Sequence, residues 1–424
     1  MRHRTPKHWG LGIGLALCAG AAQAQSTTDY SDKLFGNVAG LRPSLAQYGI
    51  TLGLTDTENL LGDVSGGVKQ GATMQGVTTA ALDIDTSKAF GLAGGTFHAS
   101  ALQIHGQNFS PYYLDTLQTA NGTESDNATR LWELWYDQVI GKSGVDIKLG
   151  QQSIDNEFMV SENSALFINT AAGWPLLPSY DLYAGGPAYP LSSLGVRLNY
   201  APSDKFTLLT GVFDDNPPGG SFDNDTQEMD SGGTRFNLNT GALFITELQY
   251  APTQNGTYKL GLWYDTGYFP DELYGDNLMH HGNYSIYGVV DRTLWKFNAD
   301  RSLNVFARIM GAPAAQNLIT FSFNGGLTLT DPLPGRPNDT AGIDFGVGKV
   351  SSRAAEADRE SGTIARNTET LIELTYQIQA TPWLQVQPDF QYVANPGGGV
   401  DNPNDPTQRL SNELVVGLRV TTAF

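Results

Sequence analysis

The sequence predicts an all-β fold: a single transmembrane antiparallel β-barrel of sixteen strands, with a short N-terminal periplasmic helix and an inward-folded constriction loop. Three observations carry that expectation. Many segments of roughly ten residues alternate apolar and polar side chains with period two, as strands do when one face meets lipid and the other water. The connections between them alternate between short turn-rich links and long polar segments, as in an outer-membrane barrel with both termini in the periplasm. The composition agrees, with 49 glycines, 16% charged residues and no segment after Gln25 long and apolar enough for a helical span.

The chain opens with a segment read as a leader. Arg2, Arg4 and Lys7 form a positive region, an apolar run follows over 11–22, and Ala22-Gln23-Ala24 reads as a cleavage site. Residues 1–24 are therefore expected to be a signal peptide. The sole cysteine, Cys18, lies inside it, preceded by Leu17 where a lipoprotein signal has a small residue. The exported chain is expected to carry neither a lipid anchor nor a disulfide. Residues 25–48 form the periplasmic segment. Leu34, Phe35, Val38, Leu41 and Leu45 recur near helical spacing, which predicts a helix over 32–48 ended by Gly49. It is expected to pack against the barrel mouth.

The barrel is assigned to 49–424. Its strands are expected at 50–59, 73–86, 95–107, 131–141, 145–152, 193–201, 206–213, 243–251, 257–267, 284–293, 302–311, 318–330, 341–350, 369–380, 384–394 and 412–424. Short links fall at 87–94, 141–144, 201–205, 251–256 and 381–383. Long polar segments fall at 60–72, 108–130, 153–192, 214–242, 268–283, 351–368 and 395–411. One pair breaks the rhythm: 312–317 is short where a long loop is due, and 331–340 is long where a turn is due. Leu384, Val386, Phe390 and Tyr392 share one face of a strand, and Gln385, Gln387, Asp389 and Gln391 share the other. Trp132, Tyr136, Tyr200, Tyr250, Tyr376 and Trp383 suit interfacial girdles. The chain ends on Phe424, as outer-membrane strands read by the assembly machinery typically do.

Residues 153–192 fit neither period. Unstructured loops beyond roughly 15 residues are uncommon in compact domains and usually functional or disordered. Phe158, Met159, Leu166, Phe167, Ile168, Trp174, Leu176 and Leu177 make this one too apolar for disorder. Held between two barrel strands, it is expected to fold inward and narrow a pore. The formal charge of −18 becomes more negative once the leader is removed. It argues against a nucleic-acid partner and against a pore built for anions.

Over nearly all its mature length the chain resembles the carbohydrate-selective porins of the OprB type. The resemblance rests on Leu34-Phe-Gly-Asn-Val-Ala-Gly-Leu-Arg, Asn59-Leu-Leu-Gly-Asp-Val-Ser-Gly-Gly67, Leu131-Trp-Glu-Leu-Trp-Tyr, Asp155-Asn-Glu-Phe-Met-Val-Ser-Glu162, Leu166-Phe-Ile-Asn169, Gly185-Gly-Pro-Ala-Tyr-Pro190, Leu194-Gly-Val-Arg197 and Gly335-Arg-Pro-Asn-Asp339. Asn37-Val-Ala-Gly40 departs from the family, whose members often carry a tryptophan there. The resemblance implies a sixteen-stranded outer-membrane barrel that passes glucose and other small sugars, with polyols as further candidates.

A sugar pathway needs groups that replace water's hydrogen bonds to hydroxyls and flat apolar surfaces for the ring, with binding weak enough to release. Glu133, Trp135 and Asp137 share one strand face and are read as lumenal, with Trp132, Leu134 and Tyr136 toward lipid; the competing reading is a girdle aromatic between solvated acids. Asp155 and Glu157 open the inward loop, either to bond sugars or to brace the loop by ion pairs, for instance with Arg197. Arg197, Arg308 and Arg419 point inward by alternation, and for Arg419 a structural salt bridge with Glu413 is an equal reading. Gln385, Gln387 and Asp389 form a polar wall suited to neutral solutes.

Other signals are weaker. Asp214, Asp215, Asp223 and Asp225 lack the spacing of a standard calcium loop. His280 and His281 have no further partners at zinc-ligand spacing, and no nucleophile elbow or nucleotide fingerprint is present. No cofactor and no metal are expected. The expected partners are small saccharides and outer-membrane lipid, with homotrimer and monomer both open. The alternatives are a barrel enzyme, a general non-selective porin and a secreted all-β lectin.

Overall fold

The computed structural model describes residues 30–222 and 224–424. The expected leader over 1–24 and Asp223 lie outside the described residues. The strands are β1 Ile50–Ser65, β2 Gly71–Asp85, β3 Gly95–Gly106, β4 Ala128–Val139, β5 Val145–Gln152, β6 Ser193–Ser203, β7 Phe206–Asp214, β8 Ala242–Thr253, β9 Gly256–Asp271, β10 Gly275–Lys296, β11 Ser302–Gly311, β12 Ile319–Thr330, β13 Thr340–Val350, β14 Thr368–Thr381, β15 Leu384–Ala394, β16 Asp401–Asn402, β17 Asp405–Arg409 and β18 Glu413–Ala423. All but β16 and β17 form one closed antiparallel barrel, sealed where β1 pairs β18 with Thr55 opposite Ala423 and Leu61 opposite Gly417. β16 and β17 form a separate ribbon within the last long loop. Closure leaves no sheet edge, the condition for strands to cross hydrocarbon.

The expected sixteen strands are all present, and the differences are at their ends. β1 runs on to Ser65 because Leu61 and Asp63 continue the inward series while Leu60 and Val64 stay outside. β9 and β10 together form a long hairpin where a loop over 268–283 was expected. Gly267, Pro270, His280, His281 and Gly282 read as loop chemistry, but pairing between the two strands overrides that local signal. A helix occupies Leu41–Gln47 only, not 32–48, because Val38 and Ala39 take left-handed φ values of 50° and 53°. The preceding turns dock on the chain's end: Leu34 N–H donates to Ala423 O at 2.8 Å, Arg42 bonds the Phe424 carbonyl, and the Phe35 and Phe424 rings sit 5.3 Å apart.

Two loops fold into the barrel. Residues 153–192 do so as expected. Residues 107–127, most of the segment 108–130 read as a long polar loop, also do so: Phe109, Leu114, Leu117 and Ala120 are buried. The two loops bond each other, with Thr170 N–H donating to Thr119 O and Gly122 N–H to Ile168 O, both at 2.9 Å. The interior core sits between the 153–192 loop and β7–β13. Ile154, Phe158, Met159, Trp174, Leu176 and Leu177 pack there on Phe213, Trp263, Tyr287, Met310, Ile319 and Val350.

The wall is shaped to receive the loop. A Cβ on Gly348 of β13 would lie 2.2 Å from Leu176 Cδ2, whereas one on Gly311 of β11 would find its nearest neighbour at 3.8 Å. Gly348→Val is expected to lower stability by about 1–3 kcal/mol through overpacking. Gly311→Ala is expected to stay within about 0.5 kcal/mol of wild type. Thermal unfolding of the folded barrel, followed by gel-shift heat modifiability, checks both.

Candidate functional site

The periplasmic end of the barrel opens into a cavity of about 2320 Å³. Its floor is the short turns and Arg42, Leu45 and Ala46 of the N-terminal segment, and its walls run from the first strands round to Lys259 of β9, Asp291 of β10 and Asn304 of β11. Asn156, Glu157, Val160, Glu162 and Asn163 of the inserted loop also line it. The lining carries eight acids and nine lysines or arginines. The interior is thus nearly balanced in charge although the whole chain stands at −18. The expectation drawn from net charge therefore does not describe this cavity, because most of the excess acid lies elsewhere.

One side of the loop rim is a charged cluster from β4, β5 and β6. Lys148 and Arg197 are opposed in register. Both reach Glu157 at the start of the loop: Lys148 as a close ion pair, and Arg197 with Nε 2.6 Å from Oε2. Arg197 also pairs with Asp146, which accepts from Asn199 Nδ2 at 2.9 Å, and lies 3.9 Å from Asp137. Burial raises the Glu157 carboxyl, yet the nearby Lys148 and Arg197 outweigh it and hold the group at about 2, against an ordinary 4.5. Next to this cluster stands Trp135. His98 stacks on it from β3 at 4.7 Å and 13°, and Lys148 reaches over the ring from β5 at 4.3 Å. Glu133, Trp135, Glu157 and Arg197 all line the cavity, as their alternation or loop position suggested.

Trp132 does not take its expected lipid-facing place. A bulge between Ser100 and Ala101 in the pairing of β3 with β4 turns it inward beside Glu133. There it is 1% exposed and meets Tyr189 of the loop edge-on at 6.1 Å.

The other predicted site residues do not line the cavity: Asp155, Arg308 and Gln387 hold the loop, and Gln385 and Asp389 bond neighbouring wall side chains. Asp155 accepts from Ser153 Oγ at 2.6 Å and Tyr189 N–H at 3.0 Å, and does not pair with Arg197. Arg308, only 2% exposed, donates to the carbonyls of Met159, Ala171, Ala172 and Gly173 and to Asn324 Oδ1. Gln387 donates to Leu166 O at 2.6 Å and Thr375 Oγ1 at 2.8 Å. Gln385 bonds Gln379 Oε1 at 2.9 Å, and Asp389 accepts from Gln391 Nε2 at 2.8 Å. Arg419 bonds Asn59 and Asn121, at 2.8 and 2.9 Å, and is not paired with Glu413. For Arg308 and Gln387 the reason is that an inserted backbone has no water to satisfy it, so inward polar side chains of the wall are consumed in doing so.

Four wall acids with the same task were not singled out from the sequence. Glu247 accepts from Met159 N–H at 2.9 Å. Asp291 accepts from Ser161 Oγ at 2.7 Å and Asn163 N–H at 3.1 Å. Glu373 accepts from Ile168 N–H at 2.6 Å and Asn169 N–H at 3.2 Å. Glu369 takes the N–H groups of Leu117, Gln118 and Gly397, each at 2.7 Å. Each is an acid at an inward position of a strand, a signal that alternation alone could have supplied. Lys148 is legible in the same way. Among the described residues no group of three or more His, Cys, Asp or Glu has the arrangement to hold a metal ion.

Comparisons with known proteins bear on the whole chain. The family model "Carbohydrate-selective porin, OprB family" matches residues 69–424. Porin B of Pseudomonas aeruginosa is 24% identical, covering 97% of this chain and 95% of its own. A putative porin, QuiX, of Acinetobacter baylyi is 22% identical over the full length of both. Among solved structures, the high-pH form of Pseudomonas putida OprB superposes with a TM-score of 0.80 at 21% identity, covering 94% of this chain and all of that one. That likeness speaks for the fold.

Two outcomes are expected of the latch. Arg308→Met leaves four loop carbonyls without their donor, a loss on the order of 3 kcal/mol. Urea unfolding in detergent reads that loss, and single-channel recording should show a larger or noisier conductance step. Because the Glu157 carboxyl is held low, its stabilisation is complete above pH 4.5 and is lost as pH falls toward 2. Conductance should therefore hold steady from pH 7 to about 5 and change only below that, and Glu157→Gln should remove the acid-dependent part.

Proposed function

We propose, from the premise that this chain belongs to the carbohydrate-selective porin, OprB family, that its lumen passes small neutral saccharides across a rim made by Trp135, Lys148, Glu157 and Arg197. The protein is an outer-membrane sugar porin, a channel and not an enzyme. Glucose-like sugars, with polyols as smaller relatives, are the solutes this rim suits.

The observation that carries the reading is the rim itself. Glu157 and Arg197 present acceptors and donors side by side, held by their mutual ion pair and by Lys148. A hydroxyl pair can exchange its water bonds for these in one step, and a fixed fork bonds such pairs without reorganising. Trp135 has His98 and Lys148 on it, so a sugar ring meets the aromatic edge beside the ammonium that holds Glu157. The near balance of acids and bases in the cavity gives a neutral solute no penalty, while either ion meets like charges on the way. Glu133 supports this wall from behind, accepting Ser153 N–H at 3.1 Å. Arg308, Asp155 and Gln387 serve it indirectly by fixing the loop, and Gln385 and Asp389 are proposed to form part of the polar wall.

The domain division belongs to the same reading: a cleaved leader over 1–24, a periplasmic segment over 25–48 and the barrel from 49. The outward apolar side chains of the strands meet outer-membrane lipid.

Liposome swelling tests the proposal. With the wild type, rates should fall steeply from mono- to di- to trisaccharides. Trp135→Ala and Glu157→Gln should flatten that series, with the barrel still folded. Equal rates for all sugars in the wild type, or a series untouched by either substitution, would count against this rim as the selective element.

A further inference from the structure

The cavity of about 2320 Å³ is larger than one small-molecule site, since pockets that enclose a single ligand run to roughly 300–1,000 Å³. The rim at Trp135, Lys148, Glu157 and Arg197 occupies only its β4–β6 side. The inserted loop leads from that rim towards β9 and β10, four strands round the barrel from β5. Glu157 pairs with Lys148 of β5 and Arg197 of β6, and the Phe158 ring meets Phe213 of β7 edge-on at 6.4 Å. Met159 N–H then bonds Glu247 of β8, and Ser161 and Asn163 bond Asp291 of β10. Residues 157–163 therefore lie as a shelf along the wall. Two carboxylates of this shelf, Glu157 and Glu162, line the cavity near its two ends.

The two differ in what they have left to offer. Glu157 is spent on Lys148 and Arg197. Glu162 is exposed, although Ser161 and Ser164 beside it are buried. Among the described residues it makes no hydrogen bond and no ion pair. The charges that act on it are those of Asp291 and Lys259. Lys259, on β9, is in the complementary state. Its side chain is 11% exposed, and its Nζ lies 3.7 Å from Glu247 Oε1, beyond hydrogen-bond reach. Glu247 is already engaged: Oε1 accepts from Gln249 Nε2 at 2.7 Å, and Oε2 from Met159 N–H at 2.9 Å and the Tyr287 hydroxyl at 3.0 Å. The Lys259 ammonium thus lines the cavity with its donors unbonded by any described residue. A charge taken out of water is costly unless its hydrogen bonds are made, so these donors meet whatever fills the lumen, water or a solute that replaces it. Thr257, two residues nearer the periplasmic turn on the same face, adds a hydroxyl. No aromatic side chain of β7–β11 lines this wall.

We propose that Lys259 and Glu162 form a second solute station in the lumen, apart from Trp135, which takes neutral polyhydroxy compounds by their hydroxyls alone. The inference rests on the reading of the lumen as a sugar path and adds a site to it. A hydroxyl both donates and accepts, so hydroxyls of one molecule can bond the ammonium and the carboxylate together. A cation meets its own sign at Lys259, and an anion meets it at Glu162 and Asp291. With no aromatic face, the station does not distinguish a ring from an open chain, and a linear polyol suits it as well as a monosaccharide. The rim, which has Trp135, favours rings. Two weak sites in one cavity also let a solute move on without either holding it long, as conduction requires.

Ion current through single channels in planar bilayers, titrated with solute, tests this. Sorbitol is the open-chain probe and glucose the ring probe, each added to the wild type, Glu162→Gln, Lys259→Met and Trp135→Ala. Both solutes should reduce the wild-type current. Glu162→Gln and Lys259→Met should each raise the half-blocking sorbitol concentration by about tenfold, the worth of one lost hydrogen bond to a charged group. Trp135→Ala should raise the half-blocking concentration of glucose and leave that of sorbitol unchanged. Glu162 is exposed and braces nothing, so Glu162→Gln reads the site even where Lys259→Met folds poorly. A sorbitol block unchanged in Glu162→Gln and in folded Lys259→Met, with the glucose block still weakened by Trp135→Ala, would overturn the station and leave the rim standing. A wild-type current that neither solute reduces would overturn both.

Discussion

A loop inserted into a barrel must satisfy its backbone without water, and that requirement organises the inside of this molecule. The wall answers with side chains of both signs. Glu247, Asp291, Glu369 and Glu373 accept loop N–H groups, and Arg308 gathers four loop carbonyls. Hydrogen bonds to charged partners are worth roughly 1.5–3 kcal/mol each, more than neutral ones, so a handful fixes the loop's position. The apolar side chains then pack in the register those bonds impose, with Leu176 against Gly348 as the closest fit.

A rigid loop is what a selective aperture needs. The 107–127 loop bonds the 153–192 loop from behind, so neither moves alone. Glu247, Glu369 and Glu373 hold the backbone away from the cavity, whereas Asp291 and Glu133 hold it from the cavity wall, beside the Lys148, Glu157, Arg197 and Asp146 cluster. The same constraint explains how a chain so acidic overall can surround a nearly balanced cavity. Glu247, Glu369 and Glu373 are charges that brace a loop and that a solute in the cavity does not meet.

The strands were legible because lipid enforces strict alternation, and each approximate position survives in the structure. Also legible was the inward loop over 153–192, through its apolar residues at no regular period. What escaped has physical causes. One bulge reverses the faces of β4 at Trp132, and no residue in Leu131-Trp-Glu marks it. The 107–127 segment is more polar, and its few buried groups, such as Phe109 and Leu117, matter only once the other loop is there to meet them. Alternation correctly placed Arg308, Gln387 and Asp389 inside the barrel, but it cannot distinguish a side chain that faces water from one that faces a loop. Glu157 was legible because it begins the loop, and Arg197 because alternation turns it inward.

The 153–192 loop, latched to the wall, is what sets the bore. Replacing residues 158–182 by a short Gly-Ser link and recording single channels in planar bilayers tests it most directly. A larger conductance step, and passage of trisaccharides that the wild type excludes, are expected. A folded variant with unchanged conductance and an unchanged sugar cut-off would contradict it.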